Sequence, residues 1–220
     1  RTLYGGGLYP AAPLTGRYCG GIQAPALQTS PVCPRESPPM PNTLLLKICG
    51  LTTLADLGHA RRCGTDFLGL VVERPGVARS VQLWQAERLA RVAPQQTVAV
   101  VVSDHLDFLR QVAEHLHPRA LQIHSAHAAS LASELRGLCP MWIAVGLPPR
   151  GEAAQATEAL EAIAAAAAAG AEMIVLDTSV KGQTGGTGRP SDWDVAAEVV
   201  GRSPLPVLLA GGIGPDNAAE

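Results

Sequence analysis

Two apolar segments of this chain each end in a residue that can exchange a proton. LLLKIC at 44–49 ends in Cys49, and EMIVLD at 172–177 ends in Asp177. A thiolate can act as a general base, and a carboxyl group kept neutral by partial burial can act as a general acid. Position alone leaves a structural role open for each, because cysteine is commonly a small buried residue and aspartate a turn residue. The pair indicates acid–base chemistry on a small substrate.

Two glycine clusters come after the later apolar segments. Gly185-Gly186-Thr187-Gly188 follows Asp177, and Gly211-Gly212 closes the last apolar segment. Glycine allows backbone N–H groups to turn towards a bound anion. Pro215 predicts the start of a helix, whose N-terminus would also attract an anion. These features together predict a phosphate-binding site.

Two further polar residues complete the candidate set. Arg79 follows a proline-containing loop, and its planar guanidinium suits a carboxylate. His124 ends another apolar segment two residues after Gln122, and both fit either substrate orientation or a hydrogen-bonded interior position. Lys47 shares strand parity with Cys49 and therefore points to the same face. The sequence contains no HExxH motif and no cluster of His, Cys and carboxylates, so we expect neither a metal nor a cofactor.

The elements that must position these residues alternate between strands and helices. Seven short, nearly continuous apolar segments predict strands buried on both faces, and the amphipathic stretches between them predict helices. The strand segments are 44–49, 67–72, 97–102, 119–124, 141–146, 172–177 and 206–211. The helical stretches lie around 53–62, 82–92, 105–116, 127–137, 152–169 and 191–201. An open doubly wound sheet and a barrel both fit this order.

The glycine positions favour one of these two architectures. A dinucleotide-binding sheet carries GxGxxG after its first strand, whereas Gly50-Leu51-Thr52 stands there in this chain. The glycines cluster instead after the sixth and seventh strands, where many barrels bind phosphate. We therefore predict an α/β fold of the (β/α)8 barrel type, with only seven strands present in this chain.

Composition excludes several classes of function. The chain has 17 Lys and Arg against 19 Asp and Glu, for a formal charge of -2, which is not the strongly basic balance of a dedicated nucleic-acid binder. The chain contains no run of about 18 apolar residues, so the sequence predicts no membrane-spanning helix. The five cysteines are scattered and predict neither structural zinc nor a disulfide framework, so a cytoplasmic location is the simplest interpretation.

Residues 1–40 differ in composition from the rest of the chain. They are rich in Pro and Gly, and neither helical nor strand periodicity persists there. We expect a disordered arm or sequence extraneous to the folded domain. Residues 41–220 would then form an incomplete barrel, in a protein whose true first residue would be Met40.

Several of these motifs together resemble phosphoribosylanthranilate isomerase, a family of tryptophan biosynthesis. The matching stretches occur in the family's order and are KICGLT (47–52), GTDFLGLVV (64–72), ARSV (78–81), LQIH (121–124), LD…GGTG…DW (176–193) and LLAGGIGPDN (208–217). The resemblance runs from about Met40 to the end of the chain. It implies an Amadori rearrangement of N-(5-phosphoribosyl)anthranilate to 1-(2-carboxyphenylamino)-1-deoxyribulose 5-phosphate.

The resemblance also implies a role for each candidate residue. Asp177 would be the general acid and Cys49 the general base, Arg79 would bind the anthranilate carboxylate, and the two glycine clusters would hold the phosphate. The expected partner is a small phosphorylated substrate, with no nucleic acid and no membrane. The protein would be a monomer or a homodimer, with fusion to another enzyme of the tryptophan pathway left open.

The sequence departs from the family pattern at three places. ARSV lacks the proline that usually precedes the arginine, Ser125 replaces a common glycine, and an eighth strand with its helix does not appear. A seven-stranded sheet leaves two parallel edges unpaired. We therefore expect this 220-residue chain to be poorly active and prone to self-association.

Two other interpretations remain open from the sequence. One is a different phosphate-binding barrel, similar to thiamine-phosphate synthase or to a pentose-phosphate epimerase. The KICG motif and the aspartate that ends the sixth strand argue against it. The other is a truncated barrel without catalysis, which binds only a phosphorylated ligand or a partner enzyme. The retained pair Cys49 and Asp177 argues against that one.

Overall fold

The computed structural model describes residues 44–150, 156–180, 183–184 and 190–218. Two features of the sequence analysis, the arm at 1–40 and the glycine cluster at 185–188, lie outside these residues. Their interpretation therefore stays a prediction.

The described part of the chain alternates between strands and helices. The strands are β1 (Lys47–Cys49), β2 (Phe67–Val72), β3 (Ser80–Val81), β4 (Thr97–Val101), β5 (Ala120–Ile123), β6 (Met141–Leu147), β7 (Met173–Val180), β8 (Gln183–Thr184) and β9 (Val207–Leu209). The helices are α1 (Leu54–Arg62), α2 (Leu83–Ala90), α3 (Leu106–Leu116), α4 (Ala128–Glu134), α5 (Ala156–Ala168) and α6 (Trp193–Arg202). Over these ranges, none of the helices has the length and apolar character needed to cross a bilayer.

Seven of the strands form one parallel sheet in the order β1-β2-β4-β5-β6-β7-β9. Successive strands of this series are neighbours and are joined through helices, which is the arrangement of a (β/α)8 barrel wall. The short strand β3 pairs in parallel with the end of β2, and β8 folds back antiparallel onto the end of β7. The carboxyl ends of the seven parallel strands therefore share one rim.

The predicted pattern of elements is confirmed, with local differences. The strand predicted to end at Asp177 continues to Val180, because the chain enters a hairpin with β8 there. The strands β3 and β8 were not predicted, since two residues are too few to show a hydrophobic period. The helix predicted to start near Pro215 stays a prediction: 215–218 form a turn in which the Ala218 N–H donates to the Gly214 carbonyl at 2.9 Å, and 219–220 lie outside the described residues.

Side chains that alternate along the strands separate two apolar layers. The inner layer fills the barrel, and the outer layer packs between sheet and helices. The inner residues are Val71, Val98, Val100, Ala120, Trp142, Met173 and Val175, with Phe67, Leu208 and Ala210 packed against them. The rings of Phe67 and Trp142 meet edge to face, with their centroids 4.8 Å apart. The same parity places Lys47, Cys49 and Asp177 on the inner face.

Local sequence sets where the helices begin. Thr53 caps α1 in a capping box, because its hydroxyl accepts from the Asp56 N–H and the Asp56 carboxylate accepts from the Thr53 N–H, both at 3.1 Å. Asp192 caps α6 by accepting from the N–H groups of Asp194 and Val195 at 3.1 and 3.3 Å. Thr52-Thr53 and Ser191-Asp192 each precede an amphipathic stretch, so the sequence predicts an N-cap at both places. The two caps start each helix directly after a rim loop.

The middle of the sheet and its two edges differ in burial. Every residue of β4 and β5 is buried, whereas β1 and β9 contain no fully buried residue. Leu44 and Leu46, just before β1, are 90% and 46% exposed. Within the described residues, β1 pairs only with β2 and β9 pairs only with β7. The sheet is therefore open between these two strands.

Candidate active site

Cys49 lies at the rim end of β1, opposite Gly69 of β2. A Cβ atom on Gly69 would lie 2.9 Å from the Cys49 Sγ, closer than real Cβ contacts, and 3.0 Å from the Cys49 Cα, tighter than nearly all of them. Glycine is therefore required at this position if the thiol is to keep its place on the inner face. Cys49 is exposed, so a substrate in the barrel mouth can reach the sulfur.

Asp177 lies on the inner face of β7, where Gly146 of β6 is its register neighbour. Its carboxylate accepts a hydrogen bond from the Thr178 N–H at 2.8 Å. Partial burial raises the pKa of Asp177, and the Thr178 N–H together with the charges of nearby cations opposes part of that rise. The net shift is upward, which enlarges the protonated fraction of this carboxyl group.

Arg79 is close to both Cys49 and Asp177. Its side chain crosses over Gly50, the residue after Cys49: a Cβ atom on Gly50 would lie 2.9 Å from the Arg79 Cδ. The same guanidinium is among the charges that lower the pKa of Asp177. Arg79 therefore stands at the same rim as both Cys49 and Asp177, and the structure brings these three predicted residues together.

Two cations besides Arg79 act on Asp177. Neither was predicted from the sequence as a catalytic or substrate-binding residue. Lys47 and Arg74 both lower the pKa of Asp177 and that of His124. Lys47 was placed on the inner face by strand parity, which the structure confirms. Arg74 was missed, although it stands two residues after β2 and so in the same rim position as the other candidates. The signal in the sequence that could have identified Arg74 is its position just after an apolar strand segment.

His124 follows directly after β5 and is 8% exposed. Burial lowers its pKa to about 4, and the charges of Lys47 and Arg74 add to this effect. The Gln122 side-chain amide and the His124 Nε2 atom are 2.7 Å apart, and the Gln122 Oε1 finds no hydrogen-bond partner in the described part of the structure. At neutral pH, His124 is therefore an uncharged imidazole at the mouth of the barrel.

The two glycines at the end of β9 take up left-handed backbone angles, with φ of 84° at Gly211 and 66° at Gly212. Gly211 also packs against Thr178 of β7, where a Cβ atom would lie 2.5 Å from the Thr178 backbone nitrogen. The Gly212 carbonyl accepts from the Asn217 side chain at 2.9 Å. Glycine is required at Gly211 both by its angle and by this close approach.

Ser125, which departs from the family pattern, joins two neighbouring rim loops. Its hydroxyl donates a hydrogen bond to the carboxylate of Asp104, in the loop between β4 and α3. The same hydroxyl oxygen accepts from the His127 N–H at 2.8 Å. The serine thus fixes the loop that begins at His124 against the loop before it.

The described residues contain no group of three or more His, Cys, Asp and Glu side chains that could hold a metal ion. The chemistry that they do bring to the rim is a thiol, a carboxyl group with a raised pKa, a neutral imidazole and the cations Lys47, Arg74 and Arg79. A donor and an acceptor of protons in one positively charged mouth can isomerise a small anionic substrate.

Comparison with known proteins identifies the relatives of this chain. The family model of N-(5'-phosphoribosyl)anthranilate (PRA) isomerase matches residues 46–220. This chain belongs to that isomerase family. Its isomerase relatives include the N-(5'-phosphoribosyl)anthranilate isomerase of Methanothrix thermoacetophila, which is 33% identical over 177 residues that cover 80% of each chain. The enzyme of the same name from Haloferax volcanii is 32% identical over 178 residues, covering 80% of this chain and 76% of its own.

Solved structures of the isomerase family have the same fold. The phosphoribosylanthranilate isomerase of Thermotoga maritima superposes with a TM-score of 0.64 at 25% identity, over 80% of each chain. The Thermus thermophilus enzyme superposes with a TM-score of 0.63 at 23% identity, also over 80% of each chain. These likenesses confirm the (β/α)8 barrel type predicted from the sequence.

One relative bears on the question of fusion. The tryptophan biosynthesis protein TrpCF of Haemophilus influenzae is 30% identical over 178 residues, which are 79% of this chain but only 35% of that protein. The isomerase domain thus occurs within a longer tryptophan-biosynthesis protein in that organism. Family membership also decides among the barrel enzymes considered from the sequence, in favour of the isomerase.

Proposed function

We propose that this chain catalyses the Amadori rearrangement of N-(5-phosphoribosyl)anthranilate to 1-(2-carboxyphenylamino)-1-deoxyribulose 5-phosphate by general acid–base catalysis. The observation that carries the proposal is the shared rim of Cys49 and Asp177, linked by Arg79, in a chain of the isomerase family. One solved structure with this fold is a family member in complex with reduced 1-(o-carboxyphenylamino)-1-deoxyribulose 5-phosphate.

In the proposed reaction Asp177 acts first, as the acid. Its carboxyl proton goes to the ring oxygen of the furanose, the bond from that oxygen to C1 breaks, and C1 forms an iminium with the anthranilate nitrogen. This step needs the neutral carboxyl form, which the raised pKa of Asp177 favours. The cations around the carboxyl group then stabilise the carboxylate that remains.

Cys49 acts second, as the base. Its thiolate removes the proton from C2 of the sugar, and the electron pair of that C–H bond forms the C1–C2 double bond of an enolamine. Uptake of a proton at C1 and loss of the proton from the C2 hydroxyl group then convert the enolamine to the ketone. The thiol is exposed at the end of an inner-face strand, so the sulfur can approach a substrate held in the mouth.

The charges of the mouth agree with such a substrate. The substrate carries a carboxylate at one end and a phosphate at the other, and three cations act on the carboxyl group of Asp177. Arg79 supplies a donor for the carboxylate. The turn at Gly211 and Gly212 has the backbone angles that can direct N–H groups at the phosphate.

The test is turnover of the purified 220-residue chain and its variants, measured as kcat/KM by separation of substrate and ketose product. Cys49→Ala and Asp177→Asn should each lower kcat by about 10²- to 10⁴-fold, the range for loss of a general acid or base. Binding of the reduced product, measured by calorimetry, should change little because it requires no proton transfer. The kcat/KM of the wild type should fall as pH rises through the raised pKa of Asp177, since only the protonated carboxyl is active.

Matched variants separate catalysis from general damage. Cys63→Ala removes an exposed cysteine at the end of α1, and Asp107→Asn removes a carboxylate whose side chain is fully exposed on α3. Both should keep wild-type turnover. If Cys49→Ala or Asp177→Asn kept it as well, or if the wild type neither bound the reduced product nor turned over substrate, the proposed function would be wrong.

A further inference from the structure

Gln122 is a buried polar residue on the inner face of β5, and it is 3% exposed. Its register neighbours are Val100 of β4 and Trp142 of β6, both in the inner apolar layer. The Gln122 Oε1 has no hydrogen-bond partner among the described residues. A buried amide with an unpaired oxygen costs stability relative to an apolar side chain of the same shape. Packing therefore does not explain a glutamine at this position.

The other end of the Gln122 amide decides which nitrogen of His124 carries the proton. The Gln122 Nε2 lies 2.7 Å from the His124 Nε2. An amide nitrogen donates hydrogen bonds and does not accept them, so the His124 Nε2 is the acceptor and carries no proton. The single proton of the neutral ring is therefore on Nδ1. Burial, which lowers the pKa of His124 to about 4, independently keeps the ring uncharged at neutral pH.

The His124 Nδ1 is the part of the ring that faces the mouth. Among the described residues it has no hydrogen-bond partner, yet it is not one of their enclosed polar atoms that lack one. The small exposed part of His124 therefore includes Nδ1. The cations Lys47 of β1 and Arg74 after β2 act on the ring, whereas Val100 and Trp142 on the adjacent strands carry no charge. This side of the mouth thus presents an uncharged N–H donor.

The strand order indicates which part of the substrate meets this donor. The strand β5 is the middle one of the seven parallel strands, two places from β2 and three from β9. The proposed function places the carboxylate at Arg79, after β2, and the phosphate at Gly211 and Gly212, after β9. An N–H group at the end of β5 lies at neither place. The sugar connects the two ends of the substrate, and its oxygen atoms can accept a hydrogen bond there.

We propose that Gln122 is a positioning residue that holds the proton of His124 on Nδ1, so that this N–H donates to an oxygen of the substrate's sugar. The inference rests on the proposed function, because it concerns how that substrate is held. Gln122 is enclosed in the barrel and acts only through His124. A donor that is fixed before the substrate arrives does not have to be ordered on binding, so more of the hydrogen bond contributes to affinity.

The first experiment determines the tautomer of His124 by nitrogen-15 NMR of the histidine rings in the 220-residue chain. A protonated ring nitrogen and an unprotonated one give separate signals, and His124→Leu identifies those of His124. We expect the proton on Nδ1 at neutral pH. In Gln122→Glu a carboxylate faces Nε2 and accepts its proton in a hydrogen bond, so the proton should move to Nε2.

The second experiment measures kinetics and stability together. Gln122→Met keeps the length of the side chain without its hydrogen bond, so kcat/KM should fall about 10-fold. Its melting temperature should stay within about 4 °C of the wild type, because the buried unpaired oxygen is removed as well. Once His124→Leu is present, Gln122→Met should change kcat/KM by less than about 2-fold, since there is no longer a ring to position.

The matched control is Gln96→Met. Gln96 is half-buried before β4, and its amide donates to the Thr65 carbonyl at 3.0 Å. The same substitution there also removes one amide hydrogen bond. It should leave kcat, KM and the tautomer of His124 as they are in the wild type.

Three ligands test the contact with the sugar. Binding of the reduced product should shift the signal of the Nδ1 proton of His124. Anthranilate and inorganic phosphate, each added alone at saturating concentration, should not shift it, because neither contains the sugar. A shift with phosphate alone would place the contact at the phosphate and overturn the assignment to the sugar.

The outcomes separate this inference from the proposed function. A wild type that binds the reduced product but carries the His124 proton on Nε2 would overturn the inference alone. The same holds if Gln122→Met lowers kcat/KM by an equal factor with and without His124, because Gln122 would then act independently of the ring. A wild type with the proton on Nδ1 that fails to bind the reduced product would overturn the proposed function, and the contact with the sugar with it.

Discussion

Cys49 and Asp177 stand at the same rim, but the strands beneath them are supported very differently. The strand β1 has three residues, pairs with β2 and contains no fully buried residue, whereas β7 pairs with β6 along 173–178 and with β9 on its other side. The proposed base therefore rests on an edge and the proposed acid inside the sheet. The difference implies that a disturbance near Cys49 can be relieved by movement of the edge, while one near Asp177 cannot.

The largest effect on stability is expected at Gly211, because β7 leaves no space there for a side chain. Gly211→Ala forces a side chain into a left-handed angle and against the backbone nitrogen of Thr178. We expect the free energy of unfolding to fall by about 4 kcal/mol, from backbone strain and overpacking together. Chemical denaturation measures it. Gly201→Ala, in the last turn of α6 with open space around it, should instead raise stability by about 0.5–1 kcal/mol.

If Gly211→Ala were as stable as the wild type, the β7 side would be no more rigid than the edge. The contrast drawn between the two strands would then fail.

The buried histidine in the middle of the sheet should make stability depend on pH. The pKa of His124 falls from 6.5 to about 4 on folding, so the folded protein binds fewer protons than the unfolded chain in this interval. Its contribution is fully present above pH about 6.5 and is lost as pH falls towards and below 4, for up to about 3 kcal/mol. Unfolding curves at several pH values measure this slope, and His124→Gln should remove it.

A histidine outside the sheet provides the control for that slope. His59 is exposed on α1, next to the edge strand, and His59→Gln should leave the pH dependence as it is in the wild type. An equal loss of slope in the two variants would mean that the burial of His124 is not its source.

On the edge side, the same type of substitution should act more on activity than on stability. In Gly69→Ala the new methyl group meets the sulfur and Cα of Cys49, and the strand β1 can shift away because no other strand among the described residues pairs with its far side. We expect a loss of about 2 kcal/mol in unfolding free energy, smaller than at Gly211, and a kcat lowered about 10²-fold by displacement of the base. Denaturation and steady-state kinetics measure the two quantities.

Gly58→Ala is the matched control, because its methyl group meets only the flexible end of Arg62 on α1. Wild-type kcat in Gly69→Ala would contradict the position assigned to Cys49.

The smallest effect is expected at the opposite end of β7. Glu172 accepts two hydrogen bonds from Arg119, at 2.5 and 3.1 Å, and thereby joins the start of β7 to the start of β5. Both side chains are partly exposed, so Glu172→Gln should cost less than about 1 kcal/mol and leave turnover unchanged. A larger loss, or a changed kcat, would show that the support of β7 depends on this ion pair rather than on strand pairing.

Several features of the fold followed from the sequence because their causes are local. The apolar strand segments, the caps at Thr53 and Asp192 and the helix in the alanine-rich stretch each depend on residues within one or two turns. Strand parity likewise placed Lys47 and Cys49 on one face.

Of the candidate site, the sequence by itself determined which residues end the strands and which chemistry their side chains can perform. Only the tertiary structure decided that Arg74 joins the site, and that burial moves the pKa of Asp177 upward and that of His124 downward. The physical reason is that electrostatic energy and burial depend on distances between residues far apart in the chain. A local pattern carries no information about those distances until the sheet has brought the strand ends together.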